Sequence, residues 1–198
     1  RRQRQMCIRD RLIDEYPDVI FGCTGGGSNH CGAIFPFMRD KLNGRKPDIR
    51  FVACEALSCP RLTRPKYVGY DYGDSVGFTP MLWMYTLGHD FVPAPIHAGG
   101  LRYHGMAPQL CALVHSGFHN VEAFPQTEIF EAGQIVSMTE GLLVAPETLH
   151  CWAGAIREAR RCAETGEEKV IHVANSGHGW VDVKGYDEYL KGKLEVLL

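Results

Sequence analysis

Short apolar runs alternate with stretches of helical apolar spacing along most of the chain. Residues 18–23 and 49–55 are apolar runs that predict buried strands. Between them, the apolar residues of 32–41 recur every three to four positions, which predicts a helix. A strand, a helix and a second strand in this order form a βαβ unit, whose two strands run parallel.

The same alternation returns in the second half of the chain. It predicts three further strands, at 120–124, 140–144 and 169–174. It also predicts four further helices, at about 106–116, 127–139, 150–165 and 186–193. We therefore expect a three-layer α/β fold in which one mostly parallel sheet is flanked by helices.

Residues 56–108 interrupt this alternation. The stretch holds six of the eleven prolines and is rich in tyrosine. A long irregular segment inside a domain usually packs over a site or against another chain. We therefore expect 56–108 to be an irregular covering segment.

The first eleven residues, RRQRQMCIRDR, contain five arginines and show no period. Codons for Met6–Arg11 match the transposon end that is used to build sequencing libraries. We interpret residues 1–11 as a non-native sequencing-adapter tail, with a native basic tail as the alternative. The domain is then expected to occupy 12–198.

Composition and charge narrow the function classes. The chain is 45% hydrophobic and 22% charged, with a net charge of −2, which is typical of a globular domain and gives no reason to expect nucleic-acid or membrane binding. The eight cysteines form no C-x-x-C pair, and the nine histidines no metal-binding pair, which argues against a structural zinc site. We expect buried free thiols in a reducing, cytoplasmic compartment.

A glycine-rich sequence, Cys23-Thr-Gly-Gly-Gly-Ser-Asn29, follows the first predicted strand. Glycines let a backbone approach an anion closely, and a helix start directs free N–H groups at it. The sequence lacks both the lysine of a P-loop and the spacing of a dinucleotide fingerprint. It predicts a site for one phosphate monoester, with a plain turn and helix cap as the alternative.

Two further motifs lie at the edges of predicted strands. Glu140 opens the strand at 140–144, and Ser176 lies in Asn175-Ser-Gly-His-Gly179 after the last strand. Ligands of parallel α/β sheets bind at the carboxyl ends of the strands. The motifs together predict a site for a phosphate-bearing ring, in which a neutral serine faces a ring nitrogen. A solvated surface glutamate and a tight turn are the alternatives.

Five stretches resemble a known family: GCTGGGSN, MLWMYTLGHDFVPAPIHAGGLRYHGMAP, VEAFPQTEIFEAGQ, TEGLLVAPETLH and ANSGHGWVDV. They are similar to the C-terminal half of tryptophan synthase β chains, especially the second, longer type. These are pyridoxal-phosphate-dependent enzymes of fold type II. The resemblance extends from about Tyr16 to Leu190. Arg102 in GLRYHG distinguishes the second type, because common β chains have an aspartate there.

The resemblance implies a lyase of tryptophan biosynthesis that condenses L-serine with indole by β-replacement. It implies these cofactor-binding residues: Gly25, Gly26, Gly27, Ser28 and Asn29 around the phosphate, with Ser176 facing the pyridine nitrogen. Glu140 would lie near the cofactor ring as the catalytic residue, and Arg102 in the substrate region. It also implies a monovalent cation held by backbone carbonyls, and a homodimer in the full-length protein. An α chain is a doubtful partner for the second type.

One family element has no counterpart in this sequence. The Schiff-base lysine of the family lies in the N-terminal half, and none of the seven lysines here has a matching context. We therefore expect a fragment that is inactive alone. Two alternatives stay open: a non-catalytic module that binds phosphate or the cofactor, and another fold-type II enzyme such as threonine or cysteine synthase.

Overall fold

The computed structural model describes residues 15–194. Its strands are β1 (Val19–Cys23), β2 (Arg50–Ala56), β3 (Tyr67–Tyr70), β4 (Leu82–Tyr85), β5 (Asn120–Phe124) and β6 (Ile171–Val173). Its helices are α1 (Ser28–Leu42), α2 (Pro108–His115), α3 (Gln126–Glu140), α4 (Pro146–Thr165) and α5 (Val183–Leu190). The predicted tail at 1–11 lies outside the described residues.

Four strands form one parallel sheet in the order β5-β2-β1-β6. Strand β1 is central, and Val19 pairs with Arg50 of β2 on one side and Ile171 of β6 on the other. All five residues of β1 are buried, as expected for a parallel strand that is covered on both faces. The expected α/β class is confirmed, and four of the five predicted strands are present.

The three layers follow from the alternation of side chains along β1. Phe21 faces the cluster that includes α4, whereas Ile20 packs with Ile34 of α1 on the opposite face. Helix α4 lies close to the sheet at Gly154, where an added Cβ would come within 2.7 Å of the Phe21 ring. Glycine at this position therefore allows the helix to contact the central strand directly.

The predicted strand at 140–144 is wrong. Helix α3 continues through Glu140 and ends at Gly141, which has a left-handed φ of +68°. In the residues that follow, only Val144 forms a β-bridge, an isolated one to His178. The short apolar run between Gly141 and Pro146 has the sequence pattern of a strand. In the structure this run is a loop in which Val144 is buried.

The segment 56–108 is more regular than expected. It contains an antiparallel pair of strands, β3 and β4, in which Val68 pairs with Met84. Cross-strand ring contacts from Tyr67 to Trp83 and Tyr85 stabilise the pair. The many prolines and exposed apolar residues of this segment disturb the alternation of buried and exposed positions, so the sequence pattern does not predict the two strands.

Within residues 15–194, no helix has the length and apolar character that a membrane span requires.

Candidate functional site

The glycine-rich loop connects the end of β1 to the start of α1. Thr24 anchors the loop, because its backbone N–H and its hydroxyl both donate to the Cys54 carbonyl of β2, at 2.9 and 3.1 Å. An added Cβ at Gly25 would lie 2.3 Å from the Gly100 carbonyl oxygen, so no larger residue fits without a shift. Gly27 has a φ of +94°, which L side chains rarely adopt. At Gly26 an added Cβ would meet nothing within 4 Å, so the loop is open on this side.

This open side presents unpaired donors. Helix α1 has no side-chain cap at Gly27. Among the described residues, the backbone N–H groups from Gly25 to Asn29 donate to no other group. Five adjacent donors at the start of a 15-residue helix suit a phosphate monoester, which has several acceptor oxygens and a negative charge. The expected phosphate-binding residues therefore fit such a group.

Ser176 leaves the same edge of the sheet as the glycine loop, because β6 runs parallel to β1 and beside it. Its Oγ lies 3.7 Å from the Cys23 Sγ at the end of β1. The Thr148 hydroxyl, at the start of α4, donates to the Ser176 carbonyl at 2.7 Å and lies 3.2 Å from its Oγ. The structure thus brings Ser176 to the loop and holds it from two sides.

The thiols beneath Ser176 differ in their acidity. A hydrogen bond from Cys151, together with smaller ones from Ser176 and Thr148, lowers the pKa of Cys23 in spite of its burial. Burial raises the pKa of Cys54 and of Cys151. The seven cysteines in the described part of the chain are buried and free.

The two remaining predicted residues lie at exposed positions. Glu140 is the last residue of α3, at the end of a helix and not at a strand edge. Arg102 donates to the Pro93 carbonyl at 3.0 Å. Arg102 also borders a cavity of about 460 Å³ that extends from Gly26 past Tyr70 and Met106. Arg102 and the glycine loop are therefore brought together around one cavity.

Sequence reasoning missed three polar residues of this region. Glu147 accepts a hydrogen bond from the Gly100 backbone N–H at 2.8 Å, and Gly100 in turn packs against Gly25. Thr148 orients Ser176, and Arg61 bonds to the carbonyls of the loop. Pro146, a proline at the first turn of α4, is the sequence signal that could have located Glu147 and Thr148 at this helix start. Arg61 has no such signal.

Among the described residues, no three His, Cys, Asp or Glu side chains lie close enough together to hold a metal ion.

Two curated relatives are similar to this chain over most of its length. It is 58% identical over 183 residues to tryptophan synthase beta chain 2 of Methanothermobacter thermautotrophicus, which covers 92% of this chain and 42% of that protein. It is 56% identical over 181 residues to tryptophan synthase beta chain 2 of Aquifex aeolicus, covering 90% and 42%. The chain thus spans less than half the length of these curated relatives.

Solved structures agree in fold. A fungal L-serine ammonia-lyase from Rhizomucor miehei superposes with a TM-score of 0.60 at 16% identity, over 98% of this chain and 55% of that one. A threonine deaminase from T.th. gives a TM-score of 0.58 at 13% identity, over 87% and 54%. Residues 7–177 match the family described as pyridoxal-phosphate dependent enzyme. The chain therefore belongs to the family of pyridoxal-phosphate-dependent enzymes.

Proposed function

We propose that this chain is the phosphate-binding part of a tryptophan synthase β chain, which condenses L-serine with indole to give L-tryptophan. One observation carries the proposal. The unpaired N–H groups of the glycine loop and the Ser176 side chain meet at one edge of the sheet, in a chain 58% identical to a β chain of the second type. Their placement suits the two ends of pyridoxal phosphate.

The loop and Ser176 are proposed to bind different parts of the cofactor. The N–H groups from Gly25 to Asn29 hold the phosphate, with the α1 dipole favouring its charge. The Ser176 hydroxyl would form a neutral hydrogen bond at the ring nitrogen. Because a hydroxyl is a much weaker acid than a carboxylic acid, Ser176 would not protonate this nitrogen. Thr148 fixes the backbone from which Ser176 projects.

Pyridoxal phosphate, when bound, supplies an electron sink suited to β-replacement on serine. The cavity between Gly26, Tyr70 and Met106 offers a flat aromatic acceptor such as indole an apolar wall. Arg102 lies at its rim and is proposed to contact substrate. Glu140 is proposed to lie near the cofactor ring, on the resemblance alone.

We expect the chain alone to bind pyridoxal phosphate without catalysing tryptophan synthesis. It contains no lysine in the context that the family uses to attach the cofactor. Among the described residues, Gly26 is the residue of the glycine loop that borders the cavity. The remaining wall, the homodimer contact, and the carbonyl ligands of a monovalent cation are proposed to depend on the full-length protein.

The test joins this chain to the N-terminal part of the Methanothermobacter thermautotrophicus relative and assays tryptophan from serine and indole. We expect activity in the fusion, none in the chain alone, and a large loss in Ser176→Ala. Ser137→Ala is the matched control, because its hydroxyl donates to the Leu142 carbonyl in an exposed hydrogen bond away from the loop. A folded fusion that binds pyridoxal phosphate and makes no tryptophan would overturn the proposal.

A second candidate is a phosphate-binding module without catalysis. It is favoured by the presence of the complete loop, the helix start and Ser176 within this chain. Tight binding of pyridoxal phosphate by the chain alone, with no activity in the fusion, would support this candidate over the first. Borohydride reduction and peptide mapping add a check, because stoichiometric labelling of one of the seven lysines contradicts both.

A further inference from the structure

Arg61 is a fully buried arginine behind the glycine loop. Its relative exposure is 0%, and it lies in the turn that follows β2. Its Nη1 donates to the Gly25 carbonyl at 2.5 Å, and its Nη2 donates to the Thr24 carbonyl. Its Nε has no hydrogen-bond partner among the described residues. A buried guanidinium that bonds to two successive carbonyls of one loop requires an explanation, because burying a charge is costly.

The counter-charge is Glu55, which is also fully buried. Its carboxylate accepts from the Leu62 N–H at 2.9 Å, and from the Thr63 N–H and hydroxyl at 2.9 and 2.7 Å. Glu55 thus holds the turn that carries Arg61 and balances its charge from within the fold. Burial lowers the pKa of Arg61, and the charge of Glu55 opposes that shift.

The bonds to the carbonyls determine where the loop N–H groups point. In a planar trans peptide, the C=O of one residue and the N–H of the next point in opposite directions. When the Thr24 carbonyl points at Arg61, the Gly25 N–H points away from it. The Gly25 carbonyl orients the Gly26 N–H in the same manner. These two N–H groups belong to the unpaired set on the open side of the loop.

The charge of Arg61 acts in the same direction as this geometry. The Arg61 guanidinium contacts the loop, whereas its counter-charge Glu55 contacts the turn at Leu62 and Thr63, so the charge in contact with the loop is positive. The helix start of α1 adds its own positive end. Backbone orientation and charge therefore both favour a phosphate monoester.

We propose that Arg61 is a positioning residue of the phosphate site, which holds the Thr24 and Gly25 carbonyls inward so that the Gly25 and Gly26 N–H groups face the ligand. The inference rests on the proposed function for the identity of the ligand as a phosphate monoester. The shape of the loop is thereby set by a side chain from a different part of the chain.

The test uses the chain with Arg61→Ala, Arg61→Lys and the control Arg64→Ala, whose side chain is exposed on the same segment. The dissociation constant for inorganic phosphate is measured by calorimetry after circular dichroism has verified folding. We expect Arg61→Ala to weaken binding by about tenfold to a hundredfold, the range for losing hydrogen bonds to a charged donor. Phosphate affinity of Arg61→Lys should fall between those of the parent and Arg61→Ala, because a single ammonium nitrogen lacks the rigid planar fork with which the guanidinium reaches two carbonyls. Arg64→Ala should match the parent.

A second readout does not need a ligand. In nitrogen-15 spectra of the ligand-free protein, the Gly25 and Gly26 amide signals should move or broaden in Arg61→Ala. Millimolar guanidinium chloride should restore them, and tetramethylammonium chloride, which has no N–H donor, should not. Should Arg61→Ala fail to fold, the same spectra of Arg61→Lys decide the matter.

The outcomes separate the two proposals. Unchanged amide signals in a folded Arg61 variant, or phosphate binding within about twofold of the parent, overturn the role of Arg61. Equal rescue by both salts also overturns it. A parent that binds no phosphate overturns the proposed function, and the amide signals still decide whether Arg61 shapes the loop.

Discussion

The two regions that flank the cavity are built in opposite ways. The glycine loop lies on a buried parallel sheet, and each of its anchors is a backbone group or a buried polar side chain. The segment with β3 and β4 crosses the opposite side and exposes large apolar residues, with Phe78 88% and Trp83 62% exposed. The loop of the first region has its anchors among the described residues, whereas the second region presents apolar surface of the kind that marks a contact area. Substitutions should therefore act on stability and binding in the first region and on association in the second.

Among the substitutions, the largest effect is expected for Gly25→Ala. The new Cβ would come within 2.3 Å of the Gly100 carbonyl oxygen, and a backbone atom cannot yield as a flexible side chain does. We expect a loss of about 1–3 kcal/mol in the free energy of unfolding, with phosphate binding abolished. Urea unfolding and calorimetry measure both.

Gly26→Ala is its matched control. The added methyl group meets nothing within 4 Å, so stability should stay near that of the parent. Equal destabilisation by the two substitutions would contradict the view that the loop is closed at Gly25 and open at Gly26.

Acidification should lower the free energy of unfolding through the buried histidines. Burial lowers the pKa of His150 and of His119 to about 4. The unfolded chain then takes up these protons near pH 6.5 while the folded protein does not, so the stability present above pH 6.5 is lost as the pH falls towards 4. We expect a decrease of a few kcal/mol, measured by urea unfolding at several pH values. His150→Asn should flatten the slope, and the exposed His178→Asn should retain it.

A smaller effect is expected for Thr148→Val, which removes the hydroxyl that bonds to Ser176 and keeps the shape. The half-buried Ser176 carbonyl loses a donor, at a cost of about 1–2 kcal/mol, and pyridoxal phosphate should bind more weakly. Thr139→Val is the control, because the Thr139 hydroxyl bonds within an exposed helix turn. If both variants bind the cofactor equally well, Thr148 does not orient Ser176.

The smallest effect on stability is expected for Phe78→Ser in the exposed segment. The free energy of unfolding should change by no more than about 0.5 kcal/mol, because little of the ring is buried. Its effect should appear instead in light scattering, as reduced self-association at high concentration. A large drop in stability would show that this segment packs like the core.

The local sequence pattern was sufficient to identify elements whose consecutive residues are buried together. The buried apolar runs of β1 and β2 identify these strands, and the shorter, half-buried β5 and β6 follow from their places in the alternation. Three consecutive glycines before Ser28 identify the loop. Pattern failed at 140–144, where an apolar run has no neighbouring strand to pair with. It also failed at β3 and β4, whose ring contacts join positions distant in sequence.

The polar side chains that shape the site could not be identified from the sequence. Arg61 and Thr148 look like surface residues, because a single arginine or threonine carries no period. They are buried only because tertiary contacts supply their partners. Glu140 remains a residue whose role is proposed by resemblance, since its helix position was not the one that we expected.

The adjacency of β1 and β6 has a consequence for the order of assembly. Cys23 and Ser176 touch across 153 residues of sequence. During synthesis the glycine loop leaves the ribosome before β6, the strand that pairs with the other side of β1. Until then β1 is an open edge, and the loop has no serine opposite it. Long-range pairing of this kind folds slowly, so a nascent chain carries the unpaired N–H groups of the glycine loop before Ser176 reaches Cys23.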